Sequence, residues 1–521
     1  MAVNAQALVE ELVSKVNEIK QMGGAAAIEK QHAAKKMTAR ERVDAFFDKG
    51  TFVEYLLHAH HQSESPMMAG RKTPADGIIT GYGMVDGRKV AVIAYDFTVM
   101  AGTIGMIGEM KCARLREMAL KGRFPIVWLL DSAGARVQEA ATVMFAGSGS
   151  MFYDQVMMSG VIPQVAAMCG PCAAGTAYVP GLADFVPMVR GTASMALAGP
   201  PLVKAATGVD VTAEELGGYK VHTRESGVAD RDVADDAELI ALIRDYLSYF
   251  PSHSGEKPPV LPITDPVDRA EEELMTVVPE NQRAPMDMHK VIKLIVDHGR
   301  TLDIKPDWGK AIITTLARVG GRPIGIIASN SKWIGGVITN DPADKAARFV
   351  ELCDAFNIPL LFLQDTPGFM VSVKTEKEGI IRHGAKMLYA VSRATVPKIT
   401  VVVRKGYGAG YYVMCGKGYK PDVIVAWPTA EISVMGPEGA VNIAFRKQIE
   451  AAGDKEAQDQ TRAALVEQFR GMITPYGPAS WTHIDDVIDP RQTRKVIHDA
   501  LVLSENKRVD LPPRKHGVAP V

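Results

Sequence analysis

The chain has 521 residues, 47% of them apolar and 23% charged, and a formal net charge of −1. That length holds two or more domains with full hydrophobic cores, and the near-neutral charge leaves no electrostatic footprint for nucleic acid or an anionic membrane. Five cysteines, an odd number in so long a chain, fit a reducing compartment better than a disulfide framework.

Residues 1–60 read as helical and peripheral. Leu8, Leu12, Val16 and Ile19 recur at helical spacing. Thr38-Ala39-Arg40-Glu41 has the capping-box form and opens a helix through Val43, Phe46 and Phe47. The first arginine is Arg40, and the N-terminus is acidic with no apolar leader-like stretch, so neither a signal nor a transit peptide is expected. No stretch reaches the ~18 apolar residues of a spanning helix. The expectation is a cytoplasmic protein without membrane insertion.

Two β-rich runs flank Asp86-Gly87, a strong hairpin signal. An apolar strand at Val90–Tyr95 leads to a Gly-rich turn, then a helix carrying Lys111 and Arg114. A buried strand follows at 125–131, then the polar turn Ser132-Ala133-Gly134 and a long helix. A third strand starts after Pro163 and ends in a small-residue turn. Residues 251–290, rich in Pro and Ser at their start, read as a linker. The same series of elements then returns, and the C-terminal RVDLPPRKHGVAPV reads as an extended tail. Strand–helix alternation with nearly all-apolar strands predicts an α/β fold with a parallel sheet covered by helices.

The return is a duplication. Residues 87–163 align without a gap on 321–397, 234 positions later, and sixteen positions are identical, among them Lys111/Lys345, Asp131/Asp365 and Gly134/Gly368. Ordinary composition would give roughly five. Two copies of one domain are therefore expected, and two related sites can bring two ligands together.

The most informative turn in each copy ends the third strand: CGPCAAGTAY at 169–178 and RKGYGAGYYV at 404–413. Small residues let backbone N–H groups approach a ligand oxygen, and a helix starting there adds positive potential. Two such donors make an oxyanion hole; without further evidence the same composition describes a plain tight turn. Asp131-Ser132-Ala133-Gly134-Ala135-Arg136 and Asp365-Thr366-Pro367-Gly368-Phe369 close the central strands. They read either as capped turns, the Asp accepting backbone N–H bonds, or as the ligand crevice at the carboxyl ends of a sheet. Cys169-Gly170-Pro171-Cys172 spells a redox motif, but it lies inside the repeated unit, where a structural role is expected. Lys111 and Lys345 read as solvated or ligand-facing. The other cysteines have no metal-ligand spacing, so no metal is expected. No Ser/His/Asp constellation, phosphate loop or GxGxxG occurs. That pattern favours chemistry carried by a cofactor with backbone electrostatics.

Taken together, DSAGARVQE, GPCAAGTAYVPGLADFV, KAATGVDVTAEELGG, QDTPGF, GIIRHGAKMLYA, ATVPKITVVVRKGYGAGYYVM and AWPTAEISVMGPEGAV resemble the carboxyltransferase (β) subunits of biotin-dependent acyl-CoA carboxylases, of the propionyl-CoA carboxylase β type. The resemblance runs from about Met37 to Arg446 or beyond. It implies two tandem crotonase-like (ClpP/crotonase) domains, 1–255 on the acyl-CoA side and 256–521 on the biotin side. It implies that Ala174 and Gly175 stabilise a thioester enolate, and Ala409 and Gly410 the ureido oxyanion of biotin. Ala133, Gly134, Arg136, Tyr178 and Tyr412 would bind substrate; Gly408, Gly368 and Phe369 would bind the cofactor.

Carboxybiotin on a partner carrier protein would donate CO2 to the α-carbon of an acyl-CoA. The implied partners are the biotin carboxylase and biotin carboxyl carrier subunits, since the chain carries neither module. The implied assembly is a homohexamer, a trimer of dimers, with each site shared between protomers. The chain departs from the family at Ala174 and Ala133, where relatives commonly carry glycine, and at Tyr412; Ala174 keeps its donor if its φ is negative. Two alternatives stay open: the α subunit of a biotin-dependent decarboxylase or transcarboxylase acting on a malonyl-type CoA, and a non-catalytic CoA-binding scaffold.

Overall fold

A computed structural model describes residues 4–140 and 146–520. The chain divides into two compact units, Met1–Glu256 and Lys257–Val521. Unit 1 is built on β1 (Val53–Tyr55), β2 (Ile78–Val85), β3 (Arg88–Tyr95), β4 (Ile126–Ser132), β5 (Gln164–Ala173), β6 (Pro187–Val189), β7 (Ser194–Ala196) and β8 (Arg231–Val233). They form one sheet in the order β1-β2-β3-β4-β5-β6-β8, with β7 beside β5. The first three strands are antiparallel and the rest parallel.

Unit 2 repeats the plan. Its strands are β9 (Thr301–Ile304), β10 (Ile312–Val319), β11 (Arg322–Ser329), β12 (Leu360–Thr366), β13 (Lys398–Tyr407), β14 (Val423–Ala426), β15 (Glu431–Ser433) and β16 (Asp486–Val487). Their order is β16-β14-β13-β12-β11-β10-β9, with β15 beside β13.

The apolar runs explain the central strands. Every residue of β4 and of β12 is buried, as a parallel strand covered on both faces requires. The helices Met106–Gly122 and Asn340–Ala355 make the β3–β4 and β11–β12 crossovers. The hairpins turn on two residues with positive φ, Asp86 (49°) and Gly87 (73°) in unit 1, Gly320 (58°) and Gly321 (75°) in unit 2. This is the primed-turn geometry that matches strand twist.

Three expectations are corrected. Lys111 and Lys345 are neither solvated nor ligand-facing. Each crossover helix turns its lysine inward, where Lys111 Nζ donates to Ala75 O (2.6 Å) and Ile78 O (2.5 Å), and Lys345 Nζ to Trp308 O (3.0 Å) and Ile312 O (2.8 Å). Both are buried and satisfy carbonyls where β2 and β10 begin. Next, the N-terminal segment is peripheral only in its first helix, Ala5–Lys20, which buries no residue. The capping box at Thr38 forms as expected, but the helix it opens, Ala39–Phe46, buries Arg42, Val43 and Phe46. Finally, most of the 251–290 stretch is part of unit 2. Arg494 donates to Pro266 O (2.9 Å) and Asp265 O (3.0 Å), and Leu274 and Met286 join the unit 2 core.

Candidate active site

The register carries the duplication into the site. The β4/β5 pairing slips between Leu130 and Ser132, which sits opposite Cys172; the β12/β13 pairing slips between Gln364 and Thr366, which sits opposite Gly406. The extra residues lie on β5 and β13, and the single residue opposite them, on β4 or β12, is an aspartate turned into the protein. Asp131 accepts from Gln31 Nε2 (2.9 Å), Lys36 Nζ (2.7 Å) and Arg42 (3.1 Å), and Arg42 also pairs with Asp236 (2.8 Å). Asp365 pairs with Arg404 through two bonds of 2.9 and 2.8 Å. Of the two readings left open for these residues, the turn cap does not form: each fully buried carboxylate is held chiefly by buried cations, Asp365 also accepting from the Lys405 N–H (3.5 Å).

The turns after β4 and β12 share one construction. Gly134 (φ 98°) and Gly368 (φ 114°) are left-handed. The Gly134 N–H donates to Ser132 Oγ (3.1 Å) and the Gly368 N–H to Thr366 Oγ1 (3.2 Å). Their carbonyls accept from Ile104 (2.9 Å) and Ile338 (3.0 Å). Ala133 N–H donates to Ala101 O (3.0 Å). The amides of Ala133 and Gly134, two of the expected substrate-binding residues, are used within the chain to set the turn.

Arg136, also expected to bind substrate, has its donors placed within the chain. It is fully buried and donates to Asp76 Oδ1 (2.6 Å), Glu139 Oε1 (2.8 Å) and Thr103 O (3.0 Å). These bonds clamp the turn. Asp76, 60 residues away, gives no sequence signal for this role.

The strand-end turns are the exposed part. β5 ends at Ala173; Ala174–Ala177 forms a 3-10 turn that runs into the helix Tyr178–Leu182. β13 ends at Tyr407 and the helix Gly408–Val413 starts at once. The first N–H groups of such turns have no partner within the helix. Ala174 (φ 57°) and Gly408 (φ 54°) are equivalent left-handed residues. The condition of a negative φ is therefore not met at Ala174, whose amide is held in a conformation that glycine adopts at no steric cost.

The exposed counterpart of Ala174–Gly175 is thus Gly408–Ala409, one residue earlier than Ala409–Gly410. Gly410 is buried; a Cβ there would stand 2.9 Å from Gly368 Cα and 2.9 Å from Thr366 Cγ2. Its lack of a side chain lets the two turns touch. Tyr178 and Tyr412 are also equivalent, 51% and 52% exposed, and that identity continues the 234-residue offset beyond the aligned block.

In unit 1 the turn opens on a cavity of about 1090 Å³. Ala174, Gly175 and Thr176 form one wall, and Met106, Met110 and Phe152 supply much of the apolar lining. The Phe152 ring meets Tyr178 edge-on at 5.7 Å. Glu109 also lines the cavity; burial pushes its carboxyl up against the opposing pull of Arg116, which donates to it. These lining residues were missed from sequence because the crossover helix shows only its own periodicity. In unit 2, Phe369 is half-buried, and a Cβ on Gly384 would stand 3.1 Å from its ring.

Cys169 and Cys172 both lie on β5, fully buried, and burial pushes each thiol up to about 12. A redox pair needs an accessible low-pKa thiol, so these are core residues. Among the described residues no group of three or more His, Cys, Asp or Glu is placed to hold a metal, and no helix is long and apolar enough to cross a membrane.

Comparison with known proteins agrees with this architecture. Residues 30–519 match the carboxyl transferase domain family. The chain is 45% identical to a methylmalonyl-CoA decarboxylase subunit alpha from Propionigenium modestum, over 98% of this chain and 99% of the relative. It is 43% identical to the carboxyltransferase subunit of a propionyl-CoA carboxylase from Haloferax mediterranei, over 98% and 99%. The crystal structure of transcarboxylase 12S, a hexamer solved with methylmalonyl-coenzyme A, superposes with a TM-score of 0.95 at 42% identity, covering 100% of this chain and 99% of that one. Two sheet-based units repeated on one plan, each ending in an exposed small-residue turn, are thus the two crotonase-like halves of that fold. The chain belongs to the carboxyl transferase family and is a carboxyltransferase of the acyl-CoA carboxylase kind, moving a carboxyl group between biotin and an acyl-CoA.

Proposed function

We propose that unit 1 binds the acyl-CoA and unit 2 the biotin, and that the chain carboxylates the α-carbon of the acyl-CoA through a thioester enolate. The observation that carries this reading is the exposed turn built twice at the end of β5 and β13. In unit 1 the turn borders a cavity with a mainly apolar lining, which suits an acyl group and its thioester. The amides of Ala174 and Gly175 would face the enolate oxygen, where charge develops. In unit 2 the matching turn is Gly408–Ala409, with Gly410 packed against Gly368 and Thr366, and its first amides would face the ureido oxygen of biotin. When bound, biotin, carried by a biotin carboxyl carrier partner and charged by a biotin carboxylase, would supply the carboxyl group and a base for the α-proton. The chain's own work is to orient, to exclude water with Phe152, Tyr178 and Tyr412, and to stabilise negative oxygen. No metal takes part in this scheme. A hexamer with each site shared between protomers, in the cytoplasm, completes it.

The decarboxylase direction is the second reading, favoured by the relatives from Propionigenium modestum and Veillonella parvula, both named methylmalonyl-CoA decarboxylase subunit alpha, at 45% and 43% identity. The same residues serve both directions. The test combines the chain with a biotinylated carrier protein and follows carboxyl transfer from carboxylated carrier to propionyl-CoA, and from methylmalonyl-CoA to free carrier. Gly175→Pro and Ala409→Pro each remove one donor. Both should abolish transfer in either direction while circular dichroism stays unchanged. A well-folded variant with full turnover would sink the assignment.

A further inference from the structure

Unit 1 carries a charged cluster that its repeat lacks. On the crossover helix Met106–Gly122, Glu109 and Arg116 stand two turns apart on one face. Arg116 donates to both Glu109 oxygens, at 2.6 Å to Oε1 and 3.4 Å to Oε2. Its Nε also donates to Asp154 Oδ2 (3.1 Å) on the helix Ser150–Met158. The Arg116 side chain is 3% exposed and that of Glu109 24%. In unit 2, at the 234-residue offset, the three positions hold Ala343, Val350 and Leu388. The equivalent helix and crossover form there without them. Burying charge is costly and the fold does not require these three, so their use belongs to unit 1. Glu109 lines the cavity at the strand-end turn.

The helix sets the depth of that carboxylate. It begins beside the turns, because Ile104 N–H donates to Gly134 O (2.9 Å), and a Cβ on Gly134 would stand 2.8 Å from Ala173 O. Met106 comes first along the helix, and Glu109 and Met110 follow one turn, roughly 5 Å, further on. A propionyl group whose carbonyl meets Ala174 and Gly175 ends short of that point; a longer chain reaches it. The cavity of about 1090 Å³ has room for one, and Met106 and Met110 adapt to its shape. There Glu109 keeps acceptor capacity, because each carboxylate oxygen has two acceptor sites and Arg116 is shared between two acids. A hydroxyl or N–H on the chain satisfies it. A second carboxylate is repelled, since two acids already share one guanidinium.

We propose that Glu109 is a specificity-determining residue of the carboxyl transfer: it accepts a hydrogen bond from a hydroxyl or N–H on an acyl chain longer than propionyl, and turns away chains whose far end is a carboxylate. This role rests on unit 1 being the acyl-CoA side, as proposed above. The test gives the full chain, with its biotinylated carrier, hexanoyl-, ω-hydroxyhexanoyl- and adipyl-CoA, which end in a methyl, a hydroxyl and a carboxylate, and propionyl-CoA beside them. For the wild type, kcat/KM should be about tenfold higher for the hydroxylated chain than for the other two long chains, the scale of one hydrogen bond to a charged group. Glu109→Gln keeps an acceptor for Arg116 and removes the charge; it should raise adipyl-CoA relative to the hydroxylated chain about tenfold. Glu109→Ala, the residue of unit 2 at this place, should erase the preference for hydroxyl over methyl. A purely structural role would move all substrates together, so the ratios decide. Wild-type ratios near one, ratios unchanged in both variants, or turnover of propionyl-CoA with none of the long chains overturns the proposal. Equal losses for all four substrates overturn it too, and set Glu109 against the coenzyme part of the thioester. Full turnover in Gly175→Pro would remove unit 1 as the acyl side; loss of transfer in Gly175→Pro with unchanged ratios in the Glu109 variants would sink this inference alone.

Discussion

Ala174 and Gly410 fix the two turns in opposite ways. Ala174 holds φ at 57° with a Cβ present, where its counterpart Gly408 has none. The left-handed conformation costs an L-residue roughly 1–2 kcal/mol, set against the unfolded-state entropy that glycine would add. Ala174→Gly should therefore keep activity and raise stability by about 0.5–1 kcal/mol, read as a higher urea midpoint. A drop in the midpoint would mean the turn is not strained. Gly410 is constrained by space: a Cβ would stand 2.9 Å from Gly368 Cα, and backbone cannot yield as a side-chain tip can. Gly410→Ala should push the two turns apart and lower carboxyl transfer by about 10²-fold, the scale of one lost oxyanion donor. Normal turnover with folded protein would show that the turn at the end of β13 tolerates displacement.

Among elements, the two strand-end turns differ in what braces them. β13 ends in Tyr407, whose hydroxyl donates to Glu431 on β15, and Glu431 accepts from Arg470 (2.8 Å) on the helix Lys455–Met472. Burial first, then the Glu431 carboxylate, pushes the Tyr407 hydroxyl pKa up, so it stays protonated and donates. The helix belongs to an arm with its own small core of Val441, Ile449 and Leu465. The arm is thus tied to the residue just before Gly408. In unit 1, the equivalent of Tyr407 is Ala173, with no side chain that could make such a brace. Tyr407→Phe should leave a buried carboxylate short of a donor and cost about 1–2 kcal/mol. If unit 1 binds the acyl-CoA as proposed, the variant should lower kcat for carboxyl transfer more than it raises KM for acyl-CoA. Glu431→Gln, which keeps the shape, should restore part of the rate lost by Glu431→Ala. Equal effects on kcat and KM would reduce the brace to general stability.

For the whole molecule, the twice-buried lysine sets a pH dependence. Burial lowers Lys111 to about 8 and Lys345 to about 7, against about 10.4 in an unfolded chain. The native state then binds fewer protons than the unfolded state above those values, so stability rises with pH through about 7 to 9, by at most roughly 1.4 kcal/mol per pH unit per lysine. Below the folded values both states are protonated, and the burial penalty is present in full. Above about pH 9 the sign turns, because burial pushes Cys112, Cys169 and Cys172 up to about 12 and their ionisation in the unfolded chain pulls stability down. Urea midpoints should climb between pH 7 and 9, and Lys345→Met should flatten the climb. An unchanged slope in the variant would mean that Lys345 is charged and solvated in the native state.

What the sequence determined by itself was everything repeated or local. The 234-residue offset gave two domains on one plan, the all-apolar runs gave β4, β5, β12 and β13, and Asp86-Gly87 gave its hairpin, because these depend on neighbours a few residues away. The small-residue turns at 174 and 408 were legible for the same reason, since each is a local backbone requirement. Which polar side chains are spent on structure was decided by the tertiary fold alone. Arg136 meets Asp76 from 60 residues off, Asp131 meets Lys36 and Arg42 from 95 and 89, and Tyr407 meets Glu431 from 24. A buried charge must find its partner wherever packing brings one, and packing is set by the whole sheet rather than by spacing along the chain. The inward turn of Lys111 and Lys345 has the same origin: the carbonyls they satisfy become neighbours only once β2 and β10 are in place.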